Sequence, residues 1–396
     1  MSNNDTRRTT GKVVRVLKDY GFISSETMPD QDLYFKTSWF QGAPPLKEGD
    51  VVTFELKTFG DDSQAYYVRR ATDEIDSSDL YRRASPSAPR TYNLFKWAYL
   101  GYLPNALAAL KELALDERWE FKNQPDRPLP ILYSYLFHTF GRLVLQTKVV
   151  VNESVSLAAF NTGLVDSRYE PIYGLFEPNQ EVRTPWQLRG FCIAGEDSNG
   201  QNLVRHFNPL PQAAHYFDQP ADLLYDIRGG IPELDWNHIV IECIDRYPDE
   251  FLEDHRPTGF AVEDSSKVGE QERRAYFEKL GMAIKADKRV YRRIMNRVKD
   301  AIDLSIKRTS WNFKTAVPQY YPKVRQLQLL LPICLVSDEV VDLALAVEKT
   351  DSGNYLGHTV LTLDWAYRNA RLICRPDSDW LEPHEIIEGV IDEDDT

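Results

Sequence analysis

Cysteine is scarce: four residues in 396 (Cys192, Cys243, Cys334 and Cys374), far apart and each in an apolar run. No CxxC and no Cys/His pair has metal-ligand spacing, so neither a disulfide framework nor a spaced zinc motif is expected. All four are expected as reduced core thiols. Long hydrophobic runs are lacking too. The longest, around Leu327–Val336, is about half of what a bilayer span needs and is broken by Pro332. The opening MSNNDTRRTT has no apolar segment behind it, so no secretory signal is expected, the expected compartment is the cytoplasm, and no membrane partner is anticipated. The chain contains no GxxxxGK[ST], no GxGxxG after a strand, no HExxH and no GxSxG. Its seven histidines are scattered, none at a metal-ligand interval from another. No metal and no cofactor is evident.

What is present begins with charge. The net charge is −13, yet its distribution is uneven. Residues 1–70 hold ten basic and ten acidic side chains, whereas residues 267–325 hold sixteen basic and six acidic ones. Charge acts through local patches, so one strongly basic segment in an acidic chain says more about partners than the total does.

The length suggests two or three domains. Residues 1–10 are polar and expected to be disordered. Residues 11–70 read as five short strands (GKVVRV, GFISS, DLYFKTS, GDVVTFEL, QAYYVRR) between turn-rich pieces, which predicts a small closed all-β barrel. Residues 71–91 lose hydrophobicity and gain Ser, Pro and charge, as a linker does. Residues 92–382 mix helical and strand periodicities: helices near the start, strand runs in SLAAFNTGL, PIYGLFEPN, WQLRGFCIAG and HIVIECI, one long helix over about 270–310, three further strands, and a last helix in DWAYRNARLI. This is a large mixed α+β domain. Residues 383–396 form an acidic tail.

Within the barrel, Tyr20 and Phe22 are two residues apart and point to one face, with Gly21 and Ile23 turned inward. On the following strand Tyr34 and Lys36 share a face. Tyr20, Phe22 and Tyr34 thus make an outward aromatic platform, bordered by Lys18 and Lys36, with Lys12 and Arg15 on the neighbouring strand. Exposed rings are stabilised by flat partners, and base stacking contributes roughly 1–3 kcal/mol per base. Gly21 is expected to let a base approach the backbone.

These residues resemble the cold-shock domain, an OB-type barrel that binds single-stranded RNA and DNA. Lys18-Asp19-Tyr20-Gly21-Phe22-Ile23 matches its first ribonucleoprotein motif and Asp32-Leu33-Tyr34-Phe35-Lys36-Thr37-Ser38 its second. Gly11-Lys12-Val13, Gln41-Gly42, Pro45-Leu46 to Val51, and Gln64-Ala65 to Val68 fit the frame. The sequence departs from the family where Arg15 stands near the family's tryptophan, where Lys36 and Thr37 replace a histidine and a phenylalanine, and in a shortened first turn. The resemblance implies a single-stranded RNA (or ssDNA) partner. The departures imply weaker, less base-selective and more salt-dependent binding.

In KADKRVYRRIMNRVKDAIDLSIKR, Val290, Ile294, Val298, Ile302 and Ile306 give a buried stripe, and Lys285, Lys288, Arg289, Arg292 and Arg293 gather elsewhere on the cylinder. Such a face either follows a phosphate backbone or is simply solvated. Three stretches combine polar and apolar groups. Asn161-Thr162-Gly163 ends an apparent strand, as a plain turn or as a loop offering amides to a ligand. Lys314 follows the basic helix and is a candidate phosphate ligand or nucleophile. His358, Asp364, Arg368 and Arg371 run from a strand into a helix, with Asp364 expected as its N-cap. If the larger domain is catalytic, Lys314, His358 and Asp364 are the candidates, and Asn161, Thr162, Gly163, Arg368 and Arg371 the candidate pocket. As a whole, residues 92–382 look like a bacterial domain of unknown function found fused to RNA-binding modules, carried by FNTGL, PIYGLFEPN and GHTVLTLDWAYRNARL. The reading is an RNA-binding protein whose second domain adds a basic surface, with an enzyme acting on RNA ends or nucleotides as the alternative. A protein-interaction scaffold is the third, its protein partners unknown.

Overall fold

The computed structural model describes residues 9–17, 20–25, 28–37, 46–59, 62–70, 91–122, 128–179, 184–261, 269–384 and 386. Residues 71–90 of the predicted linker over 71–91, most of the polar N-terminus, Lys18 and, of the predicted tail over 383–396, residue 385 and everything from 387 lie outside them. The chain divides into two compact units, Met1–Arg90 and Thr91–Thr396.

The first unit is a closed five-stranded barrel of OB type, built from β1 (Thr9–Val16), β2 (Tyr20–Ser25), β3 (Met28–Lys36), β4 (Val51–Phe59) and β5 (Asp62–Arg70). Its order is β1-β2-β3-β5-β4, and β4 pairs back onto β1. Alternation fixes its inside: Val13, Ile23, Leu33, Phe35, Val52, Phe54, Ala65 and Val68 are buried together. Gly21 also faces inward. A Cβ there would lie 2.6 Å from both the Arg15 carbonyl oxygen and the Phe35 ring, so this glycine answers to core packing and not to the approach of a base.

The second unit is layered. A sheet ordered β6-β10-β9-β8-β7 contains β6 (Ala98–Tyr99), β7 (Val150–Asn152), β8 (Leu157–Val165), β9 (Pro171–Pro178) and β10 (Trp186–Ile193). Helices α1 (Leu94–Trp97), α2 (Leu103–Leu113) and α3 (Pro130–Leu145) precede most of it, and α4 (Asp197–His206) covers its outer face. On the inner face Trp97, Phe140, Phe160 and Phe176 pack ring against ring. A second sheet is ordered β11-β15-β14-β13-β12, with α5 (Asp249–His255), α6 (Glu270–Ala286) and α7 (Lys288–Trp311) lying in the chain between β11 and its other four strands. Its strands are β11 (Glu233–Leu234), β12 (Val317–Tyr321), β13 (Gln326–Ile333), β14 (Leu343–Lys349) and β15 (Tyr355–Leu361). Helix α8 (Leu363–Ile373) packs on β12 and on α3 between the sheets, while α7 covers the far face and α6 packs on α7 and on the turns over 238–246. With both faces covered, β13 is continuously apolar from Leu329 to Ile333, and its buried Gln328 is paired with Gln319 on β12.

Four local expectations are corrected. The long helix over 270–310 is two helices: Asp287 ends α6, and its carboxylate accepts from Arg289 N and Val290 N to cap α7. HIVIECI is not a strand. Residues His238–Glu242 form a π-helical turn and Ile244–Arg246 a 3-10 turn, packed under α6. Helix α8 starts after Thr362, so Asp364 lies inside its first turn, buried, and is not the N-cap. Cys192, Cys243 and Cys334 are core thiols as expected, but Cys374 is exposed. Among the described residues no helix is long and apolar enough to cross a membrane.

Candidate functional site

Two places concentrate functional groups, one in each unit. On the barrel, antiparallel register sets Arg15 opposite Phe22 and Phe22 opposite Tyr34, while Tyr34 pairs with Gln64. Cross-strand partners share a face, so one row runs Arg15–Phe22–Tyr34–Gln64 over the outer surface. An irregularity between Val13 and Arg15 keeps Val13 inside while turning Arg15 outward. Tyr20 pairs with Lys36 in the next row. The Tyr20 and Tyr34 rings stack with centroids 5.7 Å apart, and Phe22 meets both edge-on at 5.8 and 6.2 Å. Tyr20 is exposed and the other two rings are half-buried; Lys12 and Arg15 are exposed beside them. The result is a fixed cluster of ring faces and edges with cations at its border.

In the larger unit, the π-helical turn brings together side chains that sequence spacing does not suggest. The wider turn, with Cys243 N donating to His238 O at 3.0 Å, sets residues five apart side by side. His238 Nε2 lies 3.4 Å from Cys243 Sγ, and its Nδ1 lies 2.7 Å from Glu242 Oε2. Thr359 Oγ1, from β15, lies 3.3 Å from the same sulfur, and this hydroxyl oxygen accepts from Arg246 Nη1 at 2.7 Å. The contact with Cys243 and, secondarily, Glu242 raises His238 to about 9 despite burial. For Cys243 burial pushes the thiol up, but His238, Arg246 and Thr359 outweigh it and the thiol is lowered. A thiol, an imidazole and a carboxylate thus line up in hydrogen-bond contact, with the sulfur buried.

Beside this set opens a cleft of about 550 Å³. Its walls come from the turns around Glu242–Arg246, from α6 through Arg273, Phe277 and Lys285, and from Thr362 and Trp365 at the start of α8. The Arg246 guanidinium lies 5.5 Å above the Trp365 ring and that of Arg273 5.6 Å above Phe277. Among the described residues no group of three or more His, Cys, Asp or Glu is arranged to hold a metal ion.

A family model described as Domain of unknown function (DUF3825) matches residues 110–380, more than half of the chain. The chain belongs to the DUF3825 family. The π-helical turn, the cleft, α7 and α8 all fall inside the DUF3825 region. No curated protein matches. A solved structure titled "drosophila Unr CSD456" is matched at 8% identity and a TM-score of 0.16, covering 49% of this chain and 65% of that one, which is short of two thirds of its length. A likeness at that score carries no argument.

Within the DUF3825 region the residues singled out from the sequence do not converge. Lys314 is exposed and donates to Asp377 at 2.6 Å; that carboxylate raises its pKa, the reverse of what a nucleophilic amine needs. His358 pairs with Glu348 at 2.6 Å across β14 and β15. Asp364, nearly fully buried, faces Arg368 at 3.9 Å, and Arg368 lies over the Phe121 ring. Arg371 forms a buried two-point ion pair with Glu117, at 2.5 and 2.8 Å, roofed by Trp119 and Tyr135. Asp364, Arg368 and Arg371 thus form interior links, Lys314 and His358 are paired at the surface, and none of them lines the cleft beside the π-helical turn.

Asn161, Thr162 and Gly163 sit within β8 and not in a turn at its end. Thr162 Oγ1 donates to Ile172 O, and Asn161 Oδ1 accepts from Gly163 N. Gly163 has φ +76°, and a Cβ there would meet the Tyr135 hydroxyl at 2.5 Å, so packing explains the trio. Of the basic-helix residues, Lys285 lies on α6 in the cleft wall, while Lys288, Arg289, Arg292 and Arg293 are exposed on α7. The sequence reading missed His238, Glu242, Cys243 and Arg246 because their meeting depends on a π turn that no spacing rule announces.

Proposed function

We propose that the protein captures single-stranded RNA by stacking bases on Tyr20, Phe22 and Tyr34, while the DUF3825 region adds a basic surface on α7. The observation that carries this reading is the meeting of three aromatic rings on the outer face of a small barrel, bordered by exposed Lys12 and Arg15. Rings held outward by strand register gain little from the core and much from a flat partner. The resemblance of the same strands to the cold-shock domain supports the choice of nucleic acid. Lys288, Arg289, Arg292 and Arg293 would contribute phosphate contacts without base selectivity.

A second reading, an enzyme acting on RNA ends or nucleotides, rests on the Cys243–His238–Glu242 alignment beside a cleft. It requires the buried sulfur to become accessible to substrate. The first reading is tested by Tyr20→Ala combined with Phe22→Ala. Two lost stacking contacts at roughly 1–3 kcal/mol each weaken single-strand binding at least tenfold. Unchanged affinity in a fluorescence-anisotropy titration with a single-stranded RNA would overturn it.

A further inference from the structure

The cleft in the DUF3825 region has a composition that its neighbours in the fold do not account for. Four cationic side chains reach its lining, Arg246, Arg273, Arg274 and Lys285, against the carboxylates of Glu242, Asp245 and Glu278. Glu242 is already committed, since Asn237 Nδ2 donates to it at 2.9 Å and His238 Nδ1 lies 2.7 Å from it. Four cations thus share the lining with three carboxylates, one of them already engaged by Asn237 and His238, and the cleft is net positive inside a chain of net charge −13.

The cations are also placed. Arg246 donates through Nη1 to Thr359 Oγ1 and Val360 O and rests over Trp365; among the described residues its Nε and Nη2 make no hydrogen bond. Arg273 lies over Phe277 and reaches the Asp245 carbonyl oxygen at 3.4 Å. Held guanidinium groups present planar forks that match phosphate oxygens, with less side-chain entropy left to lose. Around them Ile241, Phe277, Met282 and Trp365 supply apolar and aromatic surface, and Met282 is 65% exposed. A cleft of about 550 Å³ lies within the range of small-molecule sites, ~300–1,000 Å³. An anionic head with a flat apolar body satisfies both halves of this lining.

We propose that the cleft binds a nucleoside bearing a terminal phosphate, its phosphate held by Arg246 and Arg273 and its base laid against Trp365 and Met282. The same chemistry is carried by a free mononucleotide and by the phosphorylated end of an RNA strand. The site is built only from the DUF3825 region, so it stands or falls independently of base stacking on the barrel.

The experiment uses the full chain carrying Tyr20→Ala and Phe22→Ala, which silences the platform. Adenosine 5′-monophosphate, uridine 5′-monophosphate, adenosine and inorganic phosphate are titrated by isothermal calorimetry. The expected result is saturable binding of the monophosphates, at least tenfold weaker binding of adenosine, and a further tenfold loss on Arg246→Gln or Arg273→Gln. Arg246 and Arg273 lie on different elements, so the two variants together keep the test decisive even if Arg273→Gln perturbs α6. A second arm compares short RNAs with a 5′-phosphate and a 5′-hydroxyl. Preference for the phosphorylated strand over the free mononucleotide assigns the site to RNA ends, and the reverse assigns it to nucleotides. Monophosphates that fail to bind at millimolar concentration, or that bind equally to both variants, overturn the proposal.

Discussion

At the scale of single residues, two histidines show how environment sets charge. His138 is buried in the helix layer, and desolvation, helped by Arg368, lowers it to about 4. His238 is raised to about 9, chiefly by its contact with Cys243 and then by Glu242, against desolvation. A raised folded value means that the proton stabilises the native state. For His238 this contribution is fully present below the unfolded value near 6.5 and is lost as pH rises through about 9. Cys243 works in the opposite sense, its lowered thiol contributing at alkaline pH and losing that contribution as pH falls through its folded value. His238→Gln should therefore lower Tm most below pH 6.5, and the gap to the wild-type chain should close by pH 10. A gap that stays constant across thermal melts at pH 6, 8 and 10 would show that His238 does not titrate as this environment dictates.

Secondary-structure elements show what local sequence can and cannot carry. The barrel strands were legible because one inward core selects period 2, and Val13, Ile23, Leu33 and Phe35 keep it. HIVIECI was not, because a short apolar run with β-branched residues suits a strand or a buried helical turn equally, and packing under α6 decided. The break at Asp287 was legible in principle, since Asp before a new apolar stripe is a capping signal. The aromatic platform could be drawn from sequence because strand neighbours are local. The cleft could not, since residues 237–246, 273–285 and 362–365 meet only after folding.

Arg371 belongs to this scale as well, for it ties α8 to the segment after α2. Its guanidinium, almost wholly buried, is matched to Glu117 and covered by two rings. Removing one partner leaves a buried charge uncompensated, so Arg371→Met should destabilise by about 3–5 kcal/mol. Arg371→Met with Glu117→Met should recover much of that loss. Chemical denaturation reads both, and a double variant as unstable as the single one would mean that lost packing on Trp119 and Tyr135, not the stranded charge, sets the cost.

For the whole molecule, charge segregation and ring placement make separable predictions about nucleic acid. Stacking on Tyr20, Phe22 and Tyr34 releases few counterions, whereas each phosphate neutralised by α7 adds about 0.7 to the slope of log affinity against log salt for a single strand. Arg289, Arg292 and Arg293 are exposed on one helix within two turns, close enough to follow consecutive phosphates. Changing all three to Gln should reduce the magnitude of that slope by about 2 while leaving a residual set by Lys12, Arg15 and their neighbours. Tyr20→Ala with Phe22→Ala should do the opposite, lowering affinity at every salt concentration and leaving the slope in place. The net charge of −13 sharpens the test, because the acidic remainder disfavours diffuse polyanion binding elsewhere on the surface. Anisotropy titrations from 50 to 300 mM KCl separate the outcomes. A slope untouched by the three arginine changes would make that face of α7 a solvated surface and leave the barrel as the sole grip. A slope reduced with the platform intact would mean that both units hold one strand.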